Sequence, residues 1–344
     1  MIKVKKEGIL LSKTEHVFEE EGVLNPGIMQ VGNTVHMFYR AVRKGNFSSI
    51  GYCRLEGPLN IVHRNDTPLI YSQSAFEEQG VEDPRITKID DLYYMSYTGY
   101  DGINALGALA TSTDLIHFEK KGPIVPVISF AKFKYLAESK ETINEKYIRY
   151  NEREKIDKID NKPVHLWDKN LIFFPRRING KLAFLHRIRP DVQLVLVKEL
   201  NDLTDAFWED YFIHLDNHIV LTPKHEHEAS YVGGGCPPIE TEQGWLLIYH
   251  GVQDTPKGYV YSACAAMVDL DNPCKEISRL PYALFFPEFE WEKFGYINNV
   301  CFPTGTAIFN DILYIYYGTA DERVACASIN LEELLKELML YKTK

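Results

Sequence analysis

The sequence predicts an all-β protein, a five-bladed β-propeller, and three observations carry this prediction. A stretch that begins with a proline, turns, and continues as an alternating strand occurs five times in the 344 residues. The helical period is missing outside two segments, which argues against an α/β fold. The copies are 58, 91, 63 and 65 residues apart, and about 60 residues suffice for a four-stranded blade. The leading prolines are Pro26, Pro84, Pro175, Pro238 and Pro303.

Each copy is predicted to be a β-hairpin. The turns carry Gly-Asn, Asp-Asp, Asn-Gly, Gln-Gly and Asn-Asp, which are residue pairs typical of tight turns between antiparallel strands. We expect the proline at the start of the first strand, where its missing N–H is tolerated. Further short strands between the copies, such as SSIGYCRLEG and VQLVLVKEL, would complete each blade.

Two segments depart from the β pattern. Residues 130–165 are rich in Lys and Glu, and they account for the longest interval. We predict that they form a helical insertion over one rim, either as a lid or as a contact through which the chain forms a homo-oligomer. Near the end of the chain, Asn330 can cap a short amphipathic helix over 331–342. We expect residues 1–344 to form a single domain.

Composition narrows the partners and the compartment. The formal net charge of −10 argues against nucleic acid and against anionic membrane surfaces. No apolar run approaches the roughly 20 residues of a membrane span. The six cysteines form no CxxC pair, which favours a reducing compartment. With no apolar leader in MIKVKKEGILL, we expect a cytoplasmic protein, although a leader missing from the given chain would leave the periplasm open.

A propeller would bring polar residues of the five copies to one axial pocket. Buried ionisable groups cost several kcal/mol unless they are paired or solvated. A polar pocket explains these residues better than a core does. The predicted set is Asn25, Arg40, Glu82, Asp83, Arg85, Lys169, Arg176, Arg177, His186, Arg187, His250 and Asp321.

The chemistry suggested by this set is acid catalysis on a polyhydroxy ligand. The sequence contains no GxSxG, P-loop or HExxH motif. The HxH pair of His225 and His227 is weak as a metal motif, so we expect neither metal nor cofactor. Glycoside cleavage needs a carboxylic acid that protonates the leaving oxygen. Asp83, which lies among cations in the motif EDPR, is the candidate acid; a turn-capping role before the proline remains the alternative.

Five ordered motifs resemble glycoside hydrolase family 130. The first is NPGIMQVGNTVHMFYRA (25–41), and the second is EDPR (82–85). The others are FPRRINGKLAFLHR (174–187), GGGCPPIETEQGWLLIYHG (233–251) and FPTGTAIFNDILYIYYGTAD (302–321). The resemblance spans about residues 20 to 325. It implies a five-bladed propeller that cleaves β-linked mannosides with inversion, in most members by phosphorolysis and in some by hydrolysis.

The resemblance also implies roles for single residues. Asp83 matches the acid of the family's phosphorylases. Arg187, and Lys169 with Asn170, match positions that contact phosphate. His250 and Arg40 would line the same pocket.

Two departures from the family pattern favour water over phosphate as the attacking group. Tyr231 occupies a position where phosphorylases carry Lys, and Lys169 stands where Arg is usual, so phosphate would lose cationic contacts. Just upstream, Glu226 or Glu228 could deprotonate an attacking water.

We therefore expect an inverting hydrolase of β-manno-oligosaccharides, with the β-1,2 linkage that the resemblance implies. The alternatives are a phosphorylase, with inorganic phosphate as co-substrate and mannose 1-phosphate as product, and a non-catalytic sugar-binding propeller. The expected catalytic residues are Asp83, Glu226 and Glu228. The expected substrate-binding residues are Asn25, Arg40, Glu82, Arg85, Lys169, Asn170, Arg187, Tyr231, His250 and Asp321.

Overall fold

Antiparallel sheets dominate the chain. The computed structural model describes residues 2–140, 142–156, 158–159 and 161–343, and at 153 and 154 the backbone alone. Strand β1 (Lys5–Leu11) comes first along the chain. Sheet I then contains β2 (Gly22–Val31), β3 (Thr34–Arg43), β4 (Phe47–Glu56) and β5 (Asn60–Arg64). Sheet II contains β6 (Gly80–Ile89), β7 (Leu92–Tyr100), β8 (Ala105–Ser112) and β9 (Glu119–Pro123). One parallel bridge between Ser48 and Gly80 joins the two sheets.

The segment predicted as a helical insertion is only partly helical. It contains α1 (Phe130–Ala137), α2 (Glu145–Tyr150) and a small hairpin of β10 (Lys158–Ile159) and β11 (Lys162–Pro163). Helix α1 packs against a later helix that the sequence did not predict, α3 (Asp205–Ile213). Phe133 on α1 meets Phe212 on α3 edge to face, with ring centroids 5.2 Å apart. The insertion is therefore anchored to the rest of the fold by aromatic packing.

Three further sheets complete the fold. Sheet III contains β12 (Lys169–Phe173), β13 (Leu182–Arg187), β14 (Val192–Val197) and β15 (Ile219–Leu221). Sheet IV begins with β16 (Tyr231–Gly234) and the short β17 (Ile239–Thr241), which both pair with β18 (Gly244–Thr255). It continues with β19 (Gly258–Val268) and β20 (Glu276–Arg279). After α4 (Glu290–Lys293), sheet V contains β21 (Cys301–Phe309), β22 (Ile312–Thr319) and β23 (Arg323–Asn330), and the N-terminal β1 is its outermost strand.

The C-terminal helix, α5 (Leu331–Leu338), is shorter than the predicted 331–342. Its predicted cap is confirmed, since the side chain of Asn330 accepts a hydrogen bond of 2.9 Å from the backbone N–H of Glu333. Leu334 and Leu338 are buried against sheets IV and V. Within the described ranges, every helix is too short or too polar to cross a membrane.

The hydrophobic core is divided into five clusters, and each cluster lies between two sheets. They join sheets I and II, II and III, III and IV, IV and V, and finally V and I. The first strands also touch one another, since β2 contacts both β6 and β21, and β12 contacts both β6 and β16. The order of contact between sheets thus follows the order of the chain and returns to its beginning.

Four of the five predicted hairpin turns are confirmed. Turn residues such as Asp90 and Asn179 adopt positive φ angles of 54° and 50°. In the fourth copy the turn is Glu242–Gln243, because Gly244 already pairs with Thr241.

The expected place of the prolines is wrong for most copies. Pro26, Pro84 and Pro303 lie inside β2, β6 and β21, next to breaks in the strand register. A bulge leaves a residue without its ladder partner, so a proline without an N–H is tolerated there.

Four of the five sheets share a buried arrangement, which we call the Glu–Tyr–cation cluster. In sheet I, Glu19 precedes the first strand and accepts a 2.8 Å hydrogen bond from the hydroxyl of Tyr39 on the second strand. Arg64 on the outermost strand lies 2.8 Å from the same carboxylate. The equivalent trios are Glu77, Tyr97 and Lys120 in sheet II, Glu228, Tyr249 and Arg279 in sheet IV, and Glu292, Tyr317 and Lys6 in sheet V. In these four sheets, the cluster links the segment before the first strand to the outermost strand.

Candidate active site

Bulges in three first strands direct polar side chains to one pocket. The register breaks in β2, β6 and β12 coincide with Asn25, Asp83 and Asn170, whose φ angles are 48°, 51° and 54°. Asn and Asp tolerate this left-handed conformation better than most residues do. Bulges are frequent beside active sites because they re-aim a side chain. All three residues line the pocket.

The pocket has two adjoining lobes of about 250 Å³ each. The first lobe is lined by Glu21, Tyr100 and Tyr296, among others. The second lobe contains Asp83 and the guanidinium groups of Arg187 and Arg189, which are absent from the lining of the first. The residues common to both lobes are Arg40, Glu82, Trp167, Lys169 and Asp321. Together the lobes reach the size of a small-molecule site.

Asp83 is held by hydrogen bonds and positive charge. The side-chain amide of Asn25 donates a 2.8 Å hydrogen bond to its Oδ1, and Arg40 Nη1 lies 3.7 Å from the same oxygen. Arg85 donates a 2.8 Å hydrogen bond to its backbone carbonyl. Burial favours the neutral acid, but Arg40, Arg85 and the Asn25 hydrogen bond outweigh it and lower the pKa of Asp83. The carboxyl is therefore ionised at neutral pH.

Glu82 organises two of the cations. Its carboxylate lies 2.9 Å from Arg40 Nη2 and 3.6 Å from Lys169 Nζ. Lys169 Nζ also lies 4.7 Å from the centre of the Trp167 ring. Burial lowers the pKa of Lys169, and the carboxylates of Glu82 and Asp83 oppose that shift. The geometry gives Glu82 the role of fixing cations in place.

Arg187 lines the second lobe, and His250 supports it from behind. Arg187 Nη1 lies 3.4 Å from His250 Nε2. Burial, with the nearby charges of Arg189 and Arg85, lowers the pKa of Arg187 to about 10 despite the opposing effect of Tyr231. Burial and the same kind of charges hold the pKa of His250 well below its usual value, so the imidazole is neutral. Buried polar atoms without a hydrogen-bond partner in the described structure include Arg85 Nη2, Asn170 Oδ1, Arg187 Nε and His250 Nδ1.

Tyr231 acts as a platform for guanidinium groups. Arg187 and Arg189 lie 5.6 Å and 5.8 Å from the centre of its ring. Its hydroxyl shares a 2.7 Å hydrogen bond with that of Tyr261, and the ring of Tyr150 on α2 meets it edge to face at 5.5 Å. A tyrosine at this position carries no charge, unlike a lysine. It instead orients the guanidinium groups of Arg187 and Arg189 through cation–π contacts.

Asp321 is the second buried carboxyl of the pocket. It lies in the turn after β22 with a φ of 52°. Burial raises its pKa to about 6, and the carboxylates of Asp83 and Glu82 act in the same direction against Arg40 and Lys169. Two acids of one pocket thus differ in pKa, because Asp83 faces cations more closely.

Known proteins resemble this chain along its whole length. The model of glycoside hydrolase family 130, described as beta-1,4-mannooligosaccharide phosphorylase, matches residues 7–151 and 145–340. The chain belongs to family 130.

Two relatives from Thermoanaerobacter sp. (strain X514) are each 32% identical to the chain. One is a 1,2-beta-oligomannan phosphorylase, with 97% of this chain and 99% of the relative covered. The other is a beta-1,2-mannobiose phosphorylase, with 97% and 98% covered. Among solved structures, the Listeria innocua beta-1,2-mannobiose phosphorylase with bound beta-1,2-mannobiose has a TM-score of 0.74 at 22% identity, covering 98% and 100% of the two chains. A family 130 hydrolase that targets beta-1,2 mannosidic linkages in Candida mannan also has a TM-score of 0.74 at 22% identity, covering 96% and 94%.

Most of the predicted binding residues of this family 130 chain do converge. The residues that line the pocket are Asn25, Arg40, Glu82, Asp83, Lys169, Asn170, Arg187, Tyr231 and Asp321. Arg85 and His250 stand behind this lining: Arg85 contacts Asp83, and His250 contacts Arg187. The roles of these residues in turnover stay predictions.

The two glutamates predicted to activate water lie elsewhere. Glu228 is fully buried in the Glu–Tyr–cation cluster of sheet IV, 3.2 Å from Arg279 and 2.9 Å from the Tyr249 hydroxyl. Glu226 borders a separate surface hollow with Gln253. Neither residue is part of either lobe. The carboxylate of Glu228 is already occupied by structural partners, and exposed Glu226 lies away from the pocket. Their positions do not support the predicted base.

Three other residues of the predicted pocket set are also elsewhere. Arg176 forms an exposed ion pair of 2.7 Å with Glu240, and Arg177 lies 3.3 Å from Glu199. His186 is buried inside sheet III. His225 and His227 lie outside both lobes, and no group of three metal-ligating side chains occurs among the described residues.

Sequence reasoning missed several residues of the pocket. Arg189 and Trp167 are each two positions from a residue that was predicted, Arg187 and Lys169. Side chains two apart on an extended segment share a face, so the segments HRIRP and LWDK contained the signal. Tyr261, Phe302 and Tyr296 had no comparable signal, because nothing in the sequence distinguishes them from core aromatics.

Proposed function

We propose that this protein is an inverting phosphorylase of β-1,2-linked manno-oligosaccharides, with inorganic phosphate as the attacking group and mannose 1-phosphate as the product. The observation that carries the proposal is the group of buried cations at the second lobe. Lys169 and Arg187 line it, Arg85 stands directly behind it, and both arginines retain an unpaired donor. A dianion is the ligand that such a group stabilises. The names of the relatives support the substrate class.

The placement of Glu226 and Glu228 changes the balance between water and phosphate. The preference for a hydrolase rested on one of these residues as a base, and both lie outside the two lobes. Phosphate is itself a nucleophile and needs no carboxylate beside it. Tyr231 compensates for the absent lysine by orienting Arg187 and Arg189.

The acid step follows from the charges around Asp83. Its pKa is low while Arg40 and Arg85 are uncompensated. A phosphate anion in the second lobe offsets these cations, so its arrival raises the pKa of Asp83 and lets the carboxyl take up a proton. Binding of the phosphate thereby favours the protonated form of Asp83, which is the form that can act as an acid.

The reaction then balances as a single displacement. A phosphate oxygen forms a bond to the anomeric carbon as the bond to the leaving oxygen breaks. Asp83 gives its proton to that oxygen, directly or through a substrate hydroxyl. The proton that hydrogen phosphate loses on forming mannose 1-phosphate then reprotonates Asp83. The shortened mannoside leaves through the first lobe, where Tyr100, Trp167 and Tyr296 offer ring faces to a sugar.

We also infer that the five sheets are the blades of one five-bladed propeller that forms a single domain. The five core clusters, each between consecutive sheets and the last between V and I, support this arrangement. The pocket would lie where the five first strands meet. We propose no cofactor besides phosphate as co-substrate, and a cytoplasmic location.

The first experiment identifies the products from β-1,2-mannobiose with and without inorganic phosphate. We expect mannose 1-phosphate only when phosphate is present. Free mannose at the same rate in both reactions would replace the proposal with hydrolysis, and binding without any product would indicate a sugar-binding protein. Asp83→Asn should lower turnover about 100- to 10,000-fold. Its matched control is Asp90→Asn, at the other end of the same strand and also at positive φ, which should keep wild-type activity.

A further inference from the structure

Sheet III lacks the Glu–Tyr–cation cluster that the other four sheets share. His186 on its second strand takes the place of the tyrosine. The His186 ring binds Asp168 Oδ2 through Nδ1 at 2.7 Å and the Tyr211 hydroxyl through Nε2 at 2.8 Å. Asp168 and His186 are fully buried, and Tyr211, which comes from α3, is nearly so.

The two members of this pair immediately precede the two predicted phosphate ligands. Asp168 precedes Lys169, and His186 precedes Arg187. Lys169 and Arg187 are themselves direct partners across β12 and β13. Since neighbouring side chains of a strand point to opposite faces, Lys169 and Arg187 face the pocket while Asp168 and His186 meet behind it.

The backbone around Asp168 is fastened to sheet II at the same point. Its N–H donates to Ala105 O at 3.1 Å, and its carbonyl accepts from Gly107 N at 2.8 Å. The indole N–H of Trp167 donates to Ile103 O at 2.8 Å. Asp168 is thus bonded to sheet II through its backbone and to sheet III through its side chain.

The contrast with the other sheets argues that the pair serves more than stability. In sheets I, II and IV, the glutamate lies three residues before the first strand, and in every case its cation comes from the outermost strand. In sheet III, both ends of the bond adjoin residues that face the cationic lobe. A shift of this pair would move Lys169 and Arg187 relative to each other.

We propose that Asp168 and His186, anchored by Tyr211, are positioning residues that set the spacing of Lys169 and Arg187 for phosphate. The inference rests on the proposed function, because phosphate is the ligand that these two cations would share. Residues that orient the direct ligands of a metal ion typically change its affinity about 10- to 100-fold when they are lost, and we expect an effect of the same order for phosphate. The effect should fall on phosphate and spare the mannoside.

The test compares His186→Leu with His186→Asn in steady-state phosphorolysis of β-1,2-mannobiose. We expect His186→Leu to raise the KM for phosphate about 10-fold or more, while the KM for the mannoside changes less than about 2-fold. Asparagine places an amide N–H where the imidazole has Nδ1, so His186→Asn should keep the bond to Asp168 and restore most of the phosphate affinity.

Tyr97→Phe is the matched control. It removes one buried hydroxyl from the cluster of sheet II, where the bond to Glu77 is 2.7 Å long. It should lower the melting temperature without changing the KM for phosphate. If His186→Leu does not fold, Asp168→Asn replaces it; this variant keeps shape but weakens the bond, and the KM for phosphate should rise selectively by a smaller factor.

The outcomes separate the two proposals. If the wild-type rate does not depend on phosphate, the proposed function fails and the positioning role fails with it. If the wild type depends on phosphate and the His186 and Asp168 variants shift both KM values equally, or only the melting temperature as Tyr97→Phe does, the positioning role alone is overturned.

Discussion

At the scale of single residues, charge state in the pocket depends on which cations a carboxyl meets. Asp83 lies near Arg40 and Arg85, which lower its pKa against the effect of burial. The pKa of Asp321 is raised to about 6 by burial and by the carboxylates of Asp83 and Glu82. Arg40 and Lys169 do not offset this shift. Pairs of acids with divergent pKa values are frequent where one must be charged and the other neutral.

The raised pKa of Asp321 predicts a pH dependence of stability. The unfolded side chain titrates near 3.8 and the folded one near 6. Between these values the folded state binds more protons than the unfolded state, so the free energy of unfolding falls as pH rises from about 4 to 6. Asp321→Asn should flatten the melting temperature across this window. Asp311→Asn, in an exposed hairpin turn, should leave the wild-type slope; equal slopes for Asp321→Asn and wild type would contradict the assignment.

At the scale of elements, the Glu–Tyr–cation cluster explains why acids recur just before the first strands. The segments VFEEEG, AFEEQG and EHEASY each place one glutamate three residues before a strand. In each case the carboxylate accepts from a tyrosine hydroxyl and meets a cation in the sheet interior. Glu228 belongs to this repeat, so its role is to hold sheet IV together.

Glu228→Gln should therefore weaken the fold and spare the chemistry. The amide leaves Arg279 with only Glu276 as a charged partner, and the lost charge-assisted bonds are each worth about 1.5–3 kcal/mol. We expect a lower urea midpoint, while the turnover of folded enzyme with phosphate stays near wild type. Glu226→Gln, two residues away at the surface, should change stability by less than about 0.5 kcal/mol. A folded Glu228→Gln enzyme without activity would return this residue to the catalytic set.

At the scale of the whole molecule, the chain closes on itself through β1. This N-terminal strand pairs with β23 and forms the outer edge of sheet V. It also brings Lys6 to the buried carboxylate of Glu292. The same closure completes the cycle of core clusters between sheets V and I. Residues nearly 290 positions apart thus share one ion pair, and local sequence cannot reveal such a contact.

Two neighbouring lysines test this closure. Lys6→Met leaves Glu292 buried without its cation, and the loss of one partner of a buried pair costs about 3–5 kcal/mol. Lys5→Met removes only an exposed pair with Glu7, which contributes at most about 1 kcal/mol. The urea midpoint of Lys6→Met should therefore drop far more than that of Lys5→Met. Similar midpoints for the two variants would contradict the closing role of β1.

The second lobe of the pocket is lined by four cationic and three acidic side chains, although the protein as a whole is negative. The net charge of the protein is −10. Nevertheless, Arg40 of sheet I and Lys169 and Arg187 of sheet III converge on this lobe. Local potential in a partly enclosed site, and not net charge, decides whether an anion binds there. Composition alone predicts no polyanionic partner, but it could not reveal this site.

The sequence by itself determined the repeating hairpins, the C-terminal helix and most of the pocket. Turn pairs such as Asn179–Gly180 and the alternation of strands such as LAFLHR act over a few residues, so they can be recognised without the fold. Asp83 lies at a bulge, Lys169 begins a strand and Arg187 ends one. The same local logic placed Glu226 and Glu228 beside the pocket, and there it failed.

Only the tertiary structure decided which charges are already paired. Glu228 is occupied by Arg279, 51 positions away, and His186 by Asp168 and Tyr211. Arg187 retains an unpaired Nε in the same fold. A charged residue can act on a ligand only if its own protein does not satisfy it first, and that depends on contacts between residues far apart in the chain.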